Sequence, residues 1–145
     1  MVDLSTSLRT DEGQRALAWM MMTALPPHGH VMGGPLNGSD LVAQAASRAG
    51  LCKRWFGVRK EPKNRGFDTE EITGILEPGD RVWMVEDVCT TGSSLERACS
   101  IAVQNGATIE GLFAVVDRGG LVELGKQQGL PTVSLFTLKD FIDEP

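Results

Sequence analysis

One stretch constrains the fold more than any other: Val82-Trp83-Met84-Val85-Glu86-Asp87-Val88-Cys89-Thr90-Thr91-Gly92-Ser93-Ser94. Its four opening apolar residues read as a strand buried on both faces. Two adjacent carboxylates stand where that strand should end. Small hydroxyl residues around Gly92 follow, and then an apolar helical pattern begins. Strand, acid pair, loop and helix come in the order expected of an open α/β sheet. Such sheets bind ligands beyond the carboxyl ends of their strands.

The loop's chemistry is legible residue by residue. Thr90, Thr91, Ser93 and Ser94 offer hydroxyl donors. Gly92 permits positive φ and the close approach of a ligand. Free amides at the start of the following helix favour an anion, and the cradle has room for one phosphate. Glu86 and Asp87 repel a phosphate. They can accept hydrogen bonds from vicinal hydroxyls, or ligate Mg²⁺ directly or through water. A phosphate cradle beside acceptors for a diol describes a ribose 5-phosphate site. The plainer alternative is an ordinary strand–loop–helix corner, because Ser93-x-x-Glu96 also fits a capping box. Cys89 reads as a small filler.

The rest of the chain alternates helices and strands. Helical spacing marks Asp11 to Leu25, stopped by Pro26-Pro27, and Ser39 to Arg48, stopped by Gly50. Two further helices are expected over Ser93–Gln104 and Leu121–Gln128, and a last helical turn over Thr137–Ile142. Strands are expected at Val31-Met32, Leu51–Val58, Ile72–Leu76, the central stretch, Gly111–Val116 and Val133–Phe136. Between the first strand and its helix lies Gly33-Gly34-Pro35-Leu36-Asn37-Gly38, a second turn whose amides could hold a second anion. Residues 1–10 show no periodicity, and Arg59 to Glu71 reads as a long polar loop. His28 and His30 read as loop histidines with no further metal ligands near them. The alternation implies parallel crossovers in one sheet, and residues 1–145 are assigned to one domain.

Charge narrows the ligand. The net charge is −5, which argues against a general nucleic-acid binder. Yet Lys53, Arg54, Arg59, Lys60, Lys63 and Arg65 are six of the 14 basic residues, and only Glu61 opposes them locally. Such a patch suits a small polyanion; a solvated surface run is the alternative. No apolar run approaches the roughly 18 residues of a membrane span. Three cysteines without a CxxC pair read as free thiols in a reducing cytoplasm.

The central stretch matches, at every position, the motif by which type I phosphoribosyltransferases bind 5-phosphoribosyl 1-pyrophosphate (PRPP). Three further stretches resemble orotate phosphoribosyltransferases. Arg59-Lys60-Glu61-Pro62-Lys63-Asn64-Arg65-Gly66 resembles their mobile catalytic loop. Gly34-Pro35-Leu36-Asn37-Gly38 resembles their pyrophosphate loop, and Val115-Val116-Asp117-Arg118 the segment whose arginine contacts the base. The likeness runs from about residue 2 to residue 143 in the family's order. It implies a type I phosphoribosyltransferase fold, a Rossmann-like, mostly parallel central sheet flanked by helices.

The resemblance also implies transfer of phosphoribose from PRPP to orotate with Mg²⁺. Arg59, Lys60, Lys63, Arg65 and Asp87 would be the catalytic residues. Residues Glu86 to Ser94 would bind PRPP, Glu86 and Asp87 would hold the metal, and Thr90 and Arg118 would contact the base. A cytoplasmic homodimer is implied, with the 59–71 loop shared across subunits. Three departures stand out. Arg65 replaces a histidine, Asn37 replaces a lysine common in the pyrophosphate loop, and the family's leading helix and strand, with a substrate-binding lysine, have no counterpart here. These departures keep open a different base, or a PRPP sensor without catalysis.

Overall fold

The computed structural model describes residues 4–27, 30–65 and 68–141, with the backbone alone at 30, 62–65, 68 and 69. The apolar start of the central stretch becomes β4 (Arg81–Cys89), an inner strand parallel to β1 (His30–Pro35) and to β5 (Thr108–Asp117). Val82 to Val85 are all buried because both faces of the sheet are covered. Trp83 and Val85 join the core under α1 (Leu4–Leu8), α2 (Asp11–Ala24) and α3 (Ser39–Arg48). Val82 and Met84 face the opposite core, under α4 (Ser93–Gln104) and α5 (Gly120–Gln128).

The sheet has six strands in the order β3-β2-β1-β4-β5-β6. β2 (Cys52–Arg65) and β6 (Thr132–Thr137) run parallel to their inner neighbours. β3 (Asp68–Gly74) is the exception, antiparallel to β2 at one edge. A short 3-10 turn over Leu138–Phe141 follows β6.

Four expectations are corrected. Arg59 to Glu71 is not an irregular loop: β2 continues to Arg65, and β3 returns from Asp68, so the segment forms the arms of a hairpin. β1 ends opposite Val58 at Pro35, so beyond that point β2 has, among the described residues, β3 as its one strand partner. That unpaired side tolerates Pro62, which lacks an amide hydrogen. β3 consequently starts earlier than Ile72 and stops at Gly74. Residues 4–8 form a short helix where no periodicity was visible. His30 opens a strand rather than sitting in a loop; His28 and Gly66 lie outside the described residues.

Phe56 of β2 is 1% exposed, and its ring fills the space above Gly33, where an added Cβ would fall 2.1 Å from the ring. Phe56→Ala should therefore destabilise the fold by about 3–5 kcal/mol. Urea unfolding should show this as a lower midpoint with an unchanged slope.

Candidate active site

β1 and β4 pair only through Val31–Gly33 and Val82–Met84. Beyond them the chain leaves β1 through α3 toward β2, and leaves β4 through α4 toward β5. The crossovers diverge, so a crevice opens between the two carboxyl ends, where such sheets bind ligands. Both predicted anion turns line it. The first comes close to β4 because it carries no side chains at two points. A Cβ on Gly34 would lie 2.0 Å from the Val85 carbonyl oxygen. A Cβ on Gly38, whose φ is +150°, would lie 2.6 Å from Asp87 Oδ1.

The Gly34–Gly38 turn offers fewer free amides than its sequence suggested. The Gly38 amide donates to Asp40 Oδ1 at 2.9 Å, and the Leu36 amide to the Val58 carbonyl at 2.9 Å. The Ser39 hydroxyl, 1% exposed at the start of α3, has no hydrogen-bond partner among the described residues.

The acid pair is adjacent in sequence but divided in environment. Asp87 lies against Gly38, and its Oδ1 accepts the Val88 amide at 2.8 Å. Glu86 is half-buried beside Cys89. Burial, and then the Asp87 charge, raise the Glu86 carboxyl to about 7; the Cys89 thiol and the Lys60 charge oppose that rise. Cys89 is itself pushed up to about 12, by burial and by the charges of Glu86 and Asp117. It stays a thiol, as its reading as a filler required.

The hydroxyl loop keeps its expected position at the start of α4. Gly92, left-handed at φ 85°, is the residue before α4, and no side chain caps the helix. Ser93 is already helical, so the capping box does not form. Thr91 Oγ1 instead lies 3.0 Å from Ser93 Oγ and accepts the Ser93 amide at 3.3 Å. Thr90, Thr91, Ser93 and Ser94 are exposed. An exposed, uncapped start of a 12-residue helix is suited to an anion.

Two residues were missed at the sequence level. Gly120 packs α5 against this loop, since a Cβ there would lie 2.5 Å from the Gly92 amide nitrogen. Asp117, 4% exposed, accepts the amides of Gly119, Leu121 and Val122 at 2.8, 3.0 and 3.3 Å and so fixes the start of α5. An aspartate two residues before Gly119-Gly120 and a helix was the available signal. Arg118 donates its amide to the Cys89 carbonyl at 2.9 Å, which keeps its loop beside Thr90. Its side chain lines a cavity of about 630 Å³ with Val122, Thr137 and Leu138.

The basic run is not one patch. Arg54 binds Asp80 through both nitrogens, at 2.6 and 2.7 Å. Arg59 lies 3.6 Å from Glu70 Oε2. Lys60 faces the crevice, where it lines a cavity of about 190 Å³ with Pro35, Val58, Ser94 and Arg97. The side chains of Lys63 and Arg65 lie outside the described set. Among the described residues no three His, Cys, Asp or Glu side chains are grouped to hold a metal. Glu86 and Asp87 therefore suit Mg²⁺ only with oxygens that a phosphorylated ligand brings, which is its usual mode of binding.

The strand order and a crevice built from these two turns define a type I phosphoribosyltransferase fold. At the level of fold alone the chain matches adenine phosphoribosyltransferase from Thermoanaerobacter pseudethanolicus, with a TM-score of 0.72 at 19% identity, over 95% of this chain and 88% of that one. No family model matches the sequence. It is 41% identical over 116 residues to orotate phosphoribosyltransferase of Aquifex aeolicus, covering 76% of this chain and 62% of the relative. The enzyme of that name from Sorangium cellulosum is 34% identical, with 99% of this chain and 79% of the relative covered. The Mycobacterium tuberculosis orotate phosphoribosyltransferase solved with PRPP gives a TM-score of 0.82 at 30% identity, over 97% of this chain and 82% of that one. The chain belongs to the orotate phosphoribosyltransferase family. It spans 62% and 59% of the first two curated relatives it matches.

Glu86 supplies a pH test. Its folded carboxyl titrates near 7, above the ordinary 4.5. The folded state thus holds this proton more tightly than the unfolded chain, and stability present below pH 4.5 is lost as pH rises through 7. Without ligand or metal, Glu86→Gln should match the parent near pH 5. Near pH 8.5 it should exceed the parent by on the order of 1–3 kcal/mol, read from urea midpoints.

Proposed function

We propose that this chain transfers the phosphoribosyl group of PRPP to orotate, giving orotidine 5′-phosphate and pyrophosphate. The observation that carries the reading is that Pro35, from one anion-sized turn, and Ser94, from the other, line one cavity, while Gly38 abuts the Asp87 carboxylate. PRPP carries two anionic groups on one ribose and needs two such turns. The loop from Thr90 to Ser94, at the uncapped start of α4, receives the 5-phosphate. Asp87 and Glu86 accept the ribose hydroxyls, while Gly34 to Gly38 and Lys60 flank the pyrophosphate. Thr90 and Arg118, held side by side by the Arg118 amide, face the base.

Displacement of pyrophosphate passes through an oxocarbenium-like transition state at C1, with negative charge growing on the leaving group. Preorganised cations stabilise that charge more than they stabilise the ground state. Lys60, Arg59, Lys63 and Arg65 on the β2–β3 hairpin are those cations. Mg²⁺, held by Asp87 and by Glu86 directly or through water, would neutralise part of the leaving group's charge. Arg59 and Lys60 are consecutive on a strand and point to opposite sides. The hairpin can thereby serve its own crevice with Lys60 and a second subunit with Arg59, as in a homodimer with shared sites. No helix among the described residues is long and apolar enough to cross a membrane, and the three cysteines are free and buried. Both fit a cytoplasmic biosynthetic enzyme.

Spectroscopic measurement of orotate consumption with PRPP and Mg²⁺ tests the reading. Turnover with another base alone would replace orotate. PRPP binding with no turnover of any base would select a sensor. The double variant Glu86→Ala, Asp87→Ala should stay folded and lose PRPP binding in calorimetry; unchanged affinity would remove the ribose assignment.

Shared sites have their own test. Lys63→Ala and Asp87→Ala proteins, each inactive alone, should recover activity when mixed under subunit exchange. Continued inactivity after proven exchange would place each site within one chain.

A further inference from the structure

We propose that Arg97 is a positioning residue that latches the β2–β3 hairpin onto α4 and so sets where Lys60 stands over the start of that helix. The catalytic half of this proposal rests on the function proposed above; the latch itself does not.

Beyond Val58 the hairpin leaves the sheet as a two-stranded arm, and its ladder shifts register between Val58 and Lys63. An isolated two-stranded hairpin is marginal in water. Its base therefore needs an anchor outside the ladder, and α4 supplies one. Arg97 Nη1 donates to the Arg59 carbonyl at 2.7 Å, and Nη2 lies 3.7 Å from Glu71 Oε1. These two contacts reach both arms, Arg59 on β2 and Glu71 on β3. The rigid fork of a guanidinium suits such a split attachment, and its bond to the carbonyl is charge-assisted.

The position of the bond matters more than its strength. The Arg59 carbonyl belongs to the planar peptide that leads into Lys60. Holding that oxygen orients the peptide plane from which the Lys60 side chain departs. Arg97 follows Ser94 by three residues, so it sits one turn above the hydroxyl loop on the same helix face. Lys60, Ser94 and Arg97 line the same cavity of about 190 Å³. One side chain thus ties the arm carrying the cation to the helix that presents the anion cradle. Arg97 is itself 42% exposed and belongs to neither core cluster, so its removal does not threaten the fold.

Hydrogen exchange on the ligand-free protein tests the latch without any activity. Arg97→Ala should speed exchange of the amides of residues 59–61, 63–65 and 68–74 about tenfold, and leave α4 and β5 unchanged. Glu71→Gln, which removes the weaker contact, should shift the same amides less. A double-mutant cycle with Lys60→Ala tests positioning. Arg97→Ala should lower kcat/KM for PRPP about tenfold with Lys60 present and under about threefold in the Lys60→Ala background, with Arg97→Lys restoring part of the loss. Unchanged hairpin exchange would overturn the latch. Equal losses in both backgrounds would show that Arg97 does not act through Lys60. If the parent binds PRPP but turns over no base, the same cycle on PRPP affinity decides. If it does not bind PRPP, the function proposed above fails while hydrogen exchange still settles the latch.

Discussion

The close approach of the first turn to β4 is the constraint on which the rest depends. Gly34 abuts the Val85 carbonyl and Gly38 abuts the Asp87 carboxylate, with no room for a Cβ at either point. Any side chain would push the turn away from β4 and widen the crevice. Glycines cost backbone entropy on folding. The continuous burial of Val82, Trp83, Met84 and Val85 between two helical layers offsets that cost directly beneath the site. A strand buried on both faces and a turn without side chains at two points therefore meet at one place.

Electrostatic strain is concentrated at the same place. Two consecutive carboxylates at the end of an inner strand cannot both be comfortably ionised. The ligand-free protein relieves this unevenly: Asp87 accepts the Val88 amide, while Glu86 lies beside a thiol and keeps its proton to about 7. Neutral Cys89 matters here, since a thiolate would add a third negative charge. Perturbed carboxyls of this kind mark sites whose charge is balanced by something that binds. A diol, or a cation carried by a polyphosphate, has the required chemistry.

Sequence periodicity was enough wherever structure is local. Ser39–Arg48 and Ser93–Gln104 were read with their observed ends because apolar spacing and a flanking glycine both report on the same few residues. The PRPP turn was legible for the same reason. The hairpin was not, because Arg59–Glu71 lacks alternation and has little apolar content beyond Phe67, and its strands exist through pairing with each other. Asp117 was hidden differently: its role lies in three amides of the helix that follows. The capping box that Ser93-x-x-Glu96 also allowed is absent because Gly92, in the left-handed region, starts the helix one residue earlier than a capping box requires.

The basic run shows how pairing partners assign tasks that composition leaves open. Arg54 holds Asp80 with both nitrogens and also reaches the Ile75 carbonyl at 3.2 Å, while Asp80 accepts the Glu77 amide at 2.7 Å. Arg54 keeps the Asp80 carboxyl below its ordinary range. This cluster pins the β3–β4 turn to the inner part of β2. Arg97 and Arg59 perform the same service where the arm leaves the sheet. The hairpin is thus fastened near its base, by the Arg54 cluster and by the contacts of Arg59 and Arg97, while Lys63–Arg65 pair with Asp68–Glu70 farther out. Lys60 stands at the boundary between these regimes. It is close enough to the anchored base to be aimed, and on the side of the strand that faces the crevice.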